Sequence, residues 1–190
     1  MNAAVFFATR GGHTCRVAEH IADDLRDRGV AVDVFDVRDL PLAIDWDKYG
    51  AVCVAASVHA GRHEREMVRF VIEHRTQLEF HQAAFLSVSL SEVTVEDPLA
   101  PADRRTQARL DVQRMIDDFI AATGWRPATV MPVAGALLYR RYNFIIRFIM
   151  KRIARKAGGP TDTSRNYEFT DWPAIDRFVD ETLRPACAHT

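Results

Sequence analysis

Two glycines between hydroxyl-bearing residues form the first stretch of the chain that could do chemistry. Residues 9–14, with the sequence TRGGHT, separate an apolar strand pattern at residues 3–8 from a helical pattern at residues 15–28. At such a strand-to-helix turn the backbone N–H groups can converge on an anion, and the helix dipole adds partial positive charge. Threonine hydroxyls can donate further hydrogen bonds to phosphate oxygens. The loop therefore predicts a phosphate site, against the alternative of a tight turn that needs glycine and no ligand.

The spacing of this loop is neither that of the P-loop nor the Gly-x-Gly-x-x-Gly of dinucleotide-binding folds. It resembles the phosphate loop of flavodoxins, Ser/Thr-x-Thr-Gly-x-Thr, which holds the 5′-phosphate of FMN. Gly11 stands where that loop has its middle threonine, so one side-chain hydroxyl is absent.

The composition is typical of a soluble protein with one core. The 190 residues are 48% hydrophobic and 27% charged, which suits a single globular domain over residues 1–190. The cysteines, Cys15, Cys53 and Cys187, lie far apart and are odd in number, so neither a disulfide framework nor a cysteine metal site is expected. The chain has no charged-then-apolar leader and no apolar run of about 18 residues, which favours a cytoplasmic protein.

Strand and helix patterns alternate along the chain. Further strands are predicted at residues 30–37, 51–56, 83–90 and 129–136, and further helices at residues 64–77, 105–123 and 172–183. This alternation predicts an α/β fold, a doubly wound five-stranded parallel sheet in the order 2-1-3-4-5. Ligands of such sheets bind at the carboxyl ends of the strands, where residues 9–14, the loop 57–63 and the polar loop 91–103 are expected to meet.

A basic segment, residues 137–166, precedes the last predicted helix. Residues 119–161 include no Asp or Glu but eight cations: Arg126, Arg140, Arg141, Arg147, Lys151, Arg152, Arg155 and Lys156. The net charge of the chain is −1, so removing these eight charges leaves −9 for the rest. A basic amphipathic helix is predicted over residues 139–157. It could lie on an anionic membrane, bind an acidic ligand through arginine forks, or present a merely solvated face, while the acidic remainder disfavours nucleic acid.

As a whole, the sequence resembles the flavodoxin-like family of FMN-containing, quinone-dependent protoporphyrinogen IX dehydrogenases of bacterial haem biosynthesis. The resemblance runs nearly from end to end. The motifs at residues 7–14 and 56–61 are of a kind that flavodoxin-like proteins in general share. The more specific motifs surround the basic segment, and they are Trp125-Arg126-Pro127, residues 134–137 (AGAL), Tyr139 with Arg141 and Tyr142, residues 158–163 (GGPTDT) and Thr170-Asp171-Trp172.

This resemblance implies one FMN, whose N5 atom takes part in the oxidation of protoporphyrinogen IX to protoporphyrin IX in three two-electron steps. A membrane quinone, menaquinone or ubiquinone, accepts the electrons. Both partners are lipophilic, so the protein is expected at the inner face of the cell membrane, bound peripherally through the helix 139–157. Carried over to this chain, the cofactor-binding residues are Thr9, Arg10, Gly11, Gly12, His13, Thr14, Ser57, Val58, His59, Ala60, Gly61, Ser87, Val88, Ser89 and Leu90. No metal is implied.

The substrate has two propionates, and the predicted anchors are Arg140, Arg141, Arg147 and Lys151, with Arg141 first. His59 and His63 are the candidates for proton handling, although loop histidines without a catalytic task are the simpler interpretation, since the porphyrinogen nitrogens can lose protons themselves.

Two departures from the family concern the flavin. Gly11 stands where the family often has Asp, and His59 with Ala60 stands where an aromatic residue flanks the flavin ring. Three alternatives remain open: a flavodoxin-like electron carrier without its own substrate, an NAD(P)H:quinone reductase, and an interaction domain without cofactor.

Overall fold

Parallel strands form the central sheet of the computed structural model, which describes residues 2–141, 143–157 and 159–188. The strands are β1 (Asn2–Ala8), β2 (Val32–Asp36), β3 (Tyr49–His59), β4 (Arg62–His63), β5 (Ala84–Ser89), β6 (Thr129–Ala134), β7 (Ala136–Leu137) and β8 (Tyr167–Glu168). The sheet order is β2-β1-β3-β5-β6, and each neighbouring pair in this path is parallel. Because β5 and β6 are the fourth and fifth predicted strands, the predicted order 2-1-3-4-5 is confirmed.

Helices cover the sheet. They are α1 (His13–Asp27), α2 (Arg65–Glu73), α3 (Arg75–Phe80), α4 (Leu90–Glu96), α5 (Ala102–Thr123), α6 (Phe144–Ala157), α7 (Trp172–Phe178) and α8 (Arg184–Ala188). Short turns add to the described elements, 3-10 at Trp46–Lys48 and Tyr139–Arg141 and π-helical at Val179–Leu183. None of the helices in these described ranges is both long and apolar enough to cross a membrane.

The side chains of β1 alternate between two hydrophobic clusters, one on each face of the sheet. Val5 and Phe7 pack in the cluster that includes α1 and Phe178 of α7. Phe6 packs in the other cluster, with residues of α2 and with Trp125. Because both faces of the sheet are covered, the inner strands β1, β3 and β5 are buried and mostly apolar, which explains the apolar runs of the sequence.

The prediction of a loop over residues 91–103 is wrong for its first part, because the structure has the helix α4 at Leu90–Glu96. The Ser89 side chain caps this helix by accepting a hydrogen bond from the backbone N–H of Glu92 at 3.2 Å. The Ser-x-x-Glu spacing is the sequence pattern of a capping box, so the signal for a helix was present. β5 correspondingly ends at Ser89, one residue before the predicted strand end.

The predicted loop 57–63 is instead a β-hairpin. β3 continues to His59, and β4 returns antiparallel to it, with Arg62 opposite His59. Ala60 and Gly61 form the turn, with φ angles of 50° and 76°. Two consecutive positive φ angles are typical of the tight turns whose twist matches that of a hairpin. The glycine was the sequence signal for this turn.

The predicted helix 139–157 begins five residues later than expected, at Phe144. The residues before it form a separate turn because Tyr139 is fully buried and its hydroxyl donates to the carbonyl oxygen of Pro160 at 2.8 Å. β7 and β8 then pair antiparallel and join the two ends of the basic segment. The predicted helix 64–77 is likewise divided into α2 and α3 at His74.

Candidate functional site

A cavity of about 330 Å³ opens at the carboxyl edge of the sheet, where β1, β3, β5 and β6 end. Its lining residues come from these strand ends, from α5 and from the start of the basic segment: Thr9, Gly11, His13, Thr14, Ser57, Val58, His59, Ala60, Gly61, Val88, Ser89, Leu90, Ser91, Asp111, Arg114, Met115, Gly135, Ala136 and Leu138. We call residues 9–14 the loop wall of this cavity and residues 57–61 the hairpin wall.

The loop wall follows β1 and curls around a left-handed glycine. Gly12 has a φ of 86°, which a residue with a Cβ atom rarely adopts, and its N–H donates to Thr9 Oγ1 at 3.0 Å. Thr14 lies in the first turn of α1 with none of its surface exposed. Its Oγ1 has no hydrogen-bond partner among the described residues. An unpaired hydroxyl in the first turn of a helix, beside a cavity, is the arrangement expected of an anion site.

His13 joins the loop wall to the chain beyond the basic segment. Its Nε2 lies 2.7 Å from Thr170 Oγ1, and that hydroxyl donates to the carbonyl oxygen of Ala134 at 2.7 Å. Burial lowers the pKa of His13, an effect that Glu168 opposes and Arg16 reinforces. The His13 Nδ1 atom is buried and, within the described ranges, has no hydrogen-bond partner. His13 is therefore neutral near pH 7, and one of its ring nitrogens has no partner in the part of the chain that the structure describes.

The hairpin wall is held by a buried carboxylate that sequence reasoning missed. Glu64 is 3% exposed and accepts hydrogen bonds from Arg10 Nε at 3.0 Å and from Ser57 Oγ at 3.1 Å. His59 Nε2 lies 3.3 Å from Glu64 Oε1. Burial lowers the pKa of His59, whereas the charge of Glu64 raises it. The carboxylate thus connects both walls, and it holds the guanidinium of Arg10 outside the cavity lining.

Comparisons with known proteins agree with this geometry. A family model for the flavodoxin domain matches residues 4–164. The chain belongs to the flavodoxin-domain family. It is 32% identical to the protoporphyrinogen IX dehydrogenase (quinone) of Escherichia coli (strain K12) over 181 residues, which cover 95% of this chain and 94% of that relative. A protoporphyrinogen IX dehydrogenase (quinone) of Leishmania major is 30% identical over 93% of this chain and 72% of the relative.

A solved flavodoxin from the domain Archaea shares the fold of this flavodoxin domain, with 16% identity, a TM-score of 0.51 and coverage of 98% of this chain and 99% of that one. The relatives place the chain in the family of the protoporphyrinogen IX dehydrogenases. The predicted flavodoxin-like fold, the family resemblance and the assignment as an oxidoreductase are therefore confirmed.

Most residues predicted to bind the cofactor lie together in this flavodoxin domain. Those that line the cavity are Thr9, Gly11, His13, Thr14, Ser57, Val58, His59, Ala60, Gly61, Val88, Ser89 and Leu90. Arg10, Gly12 and Ser87 are not among the lining residues. Arg10 turns to Glu64, the Gly12 N–H is bonded to Thr9, and Ser87 is 1% exposed in the core.

His63, predicted together with His59 for proton handling, does not line the cavity. Its Nε2 lies 2.9 Å from Ser87 Oγ, and its ring packs against those of Phe85 and Phe119 at centroid distances of 5.3 and 4.8 Å. Burial lowers the pKa of His63 to about 4. The position is that of a neutral core histidine.

Sequence reasoning also missed the wall that α5 contributes. Asp111, Arg114 and Met115 line the cavity, and they share one helix face because their spacing is i, i+3 and i+4. Arg114 Nη2 lies 3.5 Å from Asp111 Oδ1, and the Arg114 side chain is 65% exposed. Because this face has both polar and apolar residues, a hydrophobic periodicity does not indicate it.

The predicted anchors in the basic segment lie outside this cavity lining. Arg140 is exposed, Lys151 is half-buried, and Arg147 donates from Nε to the carbonyl oxygen of Tyr139 at 3.0 Å. The side chain of Arg141, the first choice of the prediction, lies outside the described residues. Arg140, Arg147 and Lys151 are therefore not lining residues of the cavity that the loop wall bounds.

A second cavity of about 190 Å³ adjoins the first through Leu90, which lines both. It lies between α4 and the basic segment and is mostly apolar, with the lining residues Leu90, Val93, Thr94, Asp97, Ala100, Leu137, Ala154, Gly159, Pro160 and Phe169. In the described part of the chain, no group of three His, Cys, Asp or Glu side chains could hold a metal ion.

Proposed function

We propose that this protein uses FMN to oxidise protoporphyrinogen IX to protoporphyrin IX and passes the electrons to a membrane quinone, menaquinone or ubiquinone. The relatives are named for protoporphyrinogen IX and for a quinone, which supports the choice of both reactants. The observation that carries the proposal is the cavity at the sheet edge, whose loop wall has a buried threonine hydroxyl without a hydrogen-bond partner among the described residues.

The residues of the cavity fit FMN. The hydroxyls of Thr9 and Thr14 and the N–H groups at the start of α1 are suited to hold its phosphate, because they supply donors and the positive end of a helix. Residues 57–61 and 88–90 both line the cavity, and in this proposal the isoalloxazine ring lies between them. FMN supplies two-electron redox chemistry when it is bound.

The chain itself contributes exclusion of water and control of protons. Val58, Val88 and Met115 give the cavity apolar walls, which strengthen electrostatic interactions inside it. His59 is the titratable side chain of the hairpin wall, and its Nε2 faces Glu64. The Nδ1 atom of His59 is therefore the position at which this wall could accept or release a proton.

Cations of the basic segment and of α5 are suited to the propionates of the substrate. Arg140, Arg147 and Lys151 of the basic segment are proposed as anchors together with Arg141, and the exposed guanidinium of Arg114 adds a cation at the cavity itself. Arginine forks bind carboxylates with two hydrogen bonds, which makes them suitable anchors.

The surface of α6 supports peripheral contact with an anionic membrane, which would deliver both lipophilic reactants. Phe144, Ile145 and Phe148 are 81%, 55% and 69% exposed, and Arg152 and Arg155 on the same helix are also exposed. Apolar side chains combined with cations are what an interfacial helix needs. In this proposal the protein acts at the inner face of the cell membrane.

The activity is tested with the purified, FMN-loaded protein under anaerobic conditions, by following porphyrin fluorescence after addition of protoporphyrinogen IX. We expect porphyrin to form only when menaquinone or ubiquinone is present. The double variant Arg140→Ala/Arg147→Ala should raise KM by about tenfold with little change in kcat, whereas Arg104→Ala on the exposed side of α5 should not.

Failure of the FMN-loaded protein to oxidise protoporphyrinogen with every quinone would contradict the proposal. Rapid reduction by a flavoprotein reductase without substrate turnover would then favour an electron carrier, and rapid reduction by NADPH would favour an NAD(P)H:quinone reductase.

The membrane contact has a separate test, co-sedimentation with vesicles that contain anionic lipid. Phe144→Ser/Phe148→Ser should lower the bound fraction, and salt should lower it for the unmodified protein. The matched control is Leu42→Ser, since Leu42 is fully exposed but lies outside the basic segment. Equal sedimentation of all three proteins would contradict a role for α6.

A further inference from the structure

The hydrogen-bond chain from His13 fixes where the protons of its ring can be. Thr170 Oγ1 carries one hydrogen, and it donates that hydrogen to the carbonyl oxygen of Ala134 at 2.7 Å. The contact of 2.7 Å between Thr170 Oγ1 and His13 Nε2 must therefore be donated by the histidine. In the neutral ring, a hydrogen on Nε2 leaves Nδ1 as a bare acceptor.

This bare nitrogen belongs to a side chain of the loop wall. His13 is 6% exposed, lines the cavity and follows the left-handed Gly12. Its Nδ1 is buried without a partner among the residues that the structure describes, as is the hydroxyl of its neighbour Thr14. A phosphate dianion held in this loop offers only acceptors, so it would meet a lone pair on Nδ1 unless that nitrogen gains a proton.

We propose that His13 is a proton-coupled phosphate ligand, which takes one proton from solvent onto Nδ1 when the FMN phosphate binds and donates that Nδ1–H to the phosphate. The proposal rests on FMN being the cofactor, as proposed above. Thr170 acts as a positioning residue. Its Oγ1 accepts the hydrogen bond from His13 Nε2–H, so the proton that is gained or lost is the one on Nδ1.

The charges around His13 allow this change of state. Arg16 of α1 and Glu168 of β8 are the charged groups that act on it, they pair with each other, and they shift the pKa of His13 in opposite directions. From α7 it is faced by the Trp172 ring, at a centroid distance of 6.2 Å. Burial lowers the pKa of His13 in the protein without ligand, whereas an opposite charge within a few ångströms raises the pKa of a base by about 1–3 units.

Calorimetric titration of the apo-protein with FMN at pH 8, in buffers of different ionisation enthalpy, measures the protons taken up. At this pH free FMN is already a dianion, since the second pKa of a phosphate monoester is about 6. We expect a net uptake of protons, up to one per FMN, because the bound phosphate raises the pKa of His13 toward this pH. His13→Gln should abolish this uptake, because glutamine keeps an N–H that can reach Thr170 but has no titratable nitrogen.

Two controls isolate the histidine. His20→Gln on the same helix, whose histidine pairs with Asp176 at 2.7 Å, should take up as many protons as the unmodified protein. Riboflavin, which has no phosphate, should bind without this uptake. His13→Gln should also weaken FMN binding about tenfold, with the affinity for riboflavin unchanged.

The state of the ring can be read without any variant, from the ¹⁵N shifts of the histidine side chains at pH 8. We expect the His13 signals to shift from those of neutral imidazole toward those of imidazolium when FMN is added. FMN that binds with no proton uptake, or with uptake that His13→Gln leaves unchanged, would overturn the role of His13 but not the proposed function. Failure of the apo-protein to bind FMN at all would overturn both.

Discussion

At the loop wall, the Thr14 hydroxyl and His13 Nδ1 are buried without a hydrogen-bond partner among the described residues, whereas at the hairpin wall the buried Glu64 carboxylate contacts Arg10, Ser57 and His59. A buried polar group without a partner costs about 1–3 kcal/mol. The loop wall is therefore incomplete until a ligand supplies partners, while the hairpin wall is complete in the folded chain. Removing polar groups should consequently have opposite effects on the stability of the apo-protein at the two walls.

The largest effect is expected for Thr14→Val, which keeps the shape of the side chain and removes its hydroxyl. FMN should bind about 10- to 100-fold more weakly, because a hydrogen bond to a charged group contributes about 1.5–3 kcal/mol. Riboflavin should bind as before, and the apo-protein should become more stable by about 1 kcal/mol. Flavin fluorescence titration and urea unfolding measure these changes.

Thr106→Val on the exposed face of α5 is the control for the loss of a hydroxyl and should alter neither quantity. If Thr14→Val bound FMN as tightly as the unmodified protein does, the proposed distinction between the two walls would be contradicted.

Glu64→Gln tests the hairpin wall, and here the free energy of unfolding should fall by about 1–3 kcal/mol, because Arg10 and His59 lose the charge that they contact. Since the wall carries no phosphate ligand, the affinities for FMN and riboflavin should fall by the same factor. Urea unfolding and the two flavin titrations provide the measurement. Glu66→Gln, an exposed glutamate on α2, is the matched control. If the Glu64→Gln protein were more stable than the unmodified protein, the proposed difference in stability effects between the two walls would be contradicted.

The comparison can also be tested by changing the pH, through His63. This side chain lies behind the hairpin wall, and its contacts in the folded chain need no ligand. Its pKa is about 4 in the folded protein and about 6.5 when unfolded, so the unfolded state binds more protons between these values and stability falls as the pH is lowered through this window. From pH 7 to pH 5 the parent should lose about 2 kcal/mol more than His63→Asn. Urea unfolding at both pH values tests this, and equal losses would contradict it.

The smallest effect is expected for Ala60→Gly in the hairpin turn. Ala60 has a φ of 50°, in the left-handed region that disfavours residues with a Cβ atom. Glycine removes this strain but adds entropy to the unfolded chain, which leaves a gain of about 0.5 kcal/mol. Ala121→Gly in the exposed part of α5 should instead lose about 0.5–1 kcal/mol. Thermal unfolding compares the two, and a loss in both would argue against strain at the turn.

The loop wall was predictable from sequence because local pattern and topology point to the same place. Residues 9–14 combine a strand end, glycines and a helix start, and in a parallel sheet the ends of β1, β3 and β5 must meet at one edge. The lining positions at these strand ends follow from these two facts.

The contact of Arg10 with Glu64 at the hairpin wall and the α5 face of the cavity were not predictable in the same way. The Arg10–Glu64 pair joins residues 54 positions apart, and nothing in a local pattern indicates such a contact. The α5 face lacks an apolar stripe, and α4 was missed although Ser89 and Glu92 have capping-box spacing. The start of α6 was misplaced because burial of Tyr139, a tertiary effect, keeps the residues before Phe144 out of the helix.

The most direct test of the account is the titration of the apo-protein with FMN and with riboflavin, followed by flavin fluorescence and by the visible spectrum. If the loop wall is a phosphate site, FMN should bind at least about 100-fold more tightly than riboflavin, because the phosphate gains several charge-assisted hydrogen bonds. Equal affinities for the two flavins, or an apo-protein that binds neither, would contradict the assignment of this cavity.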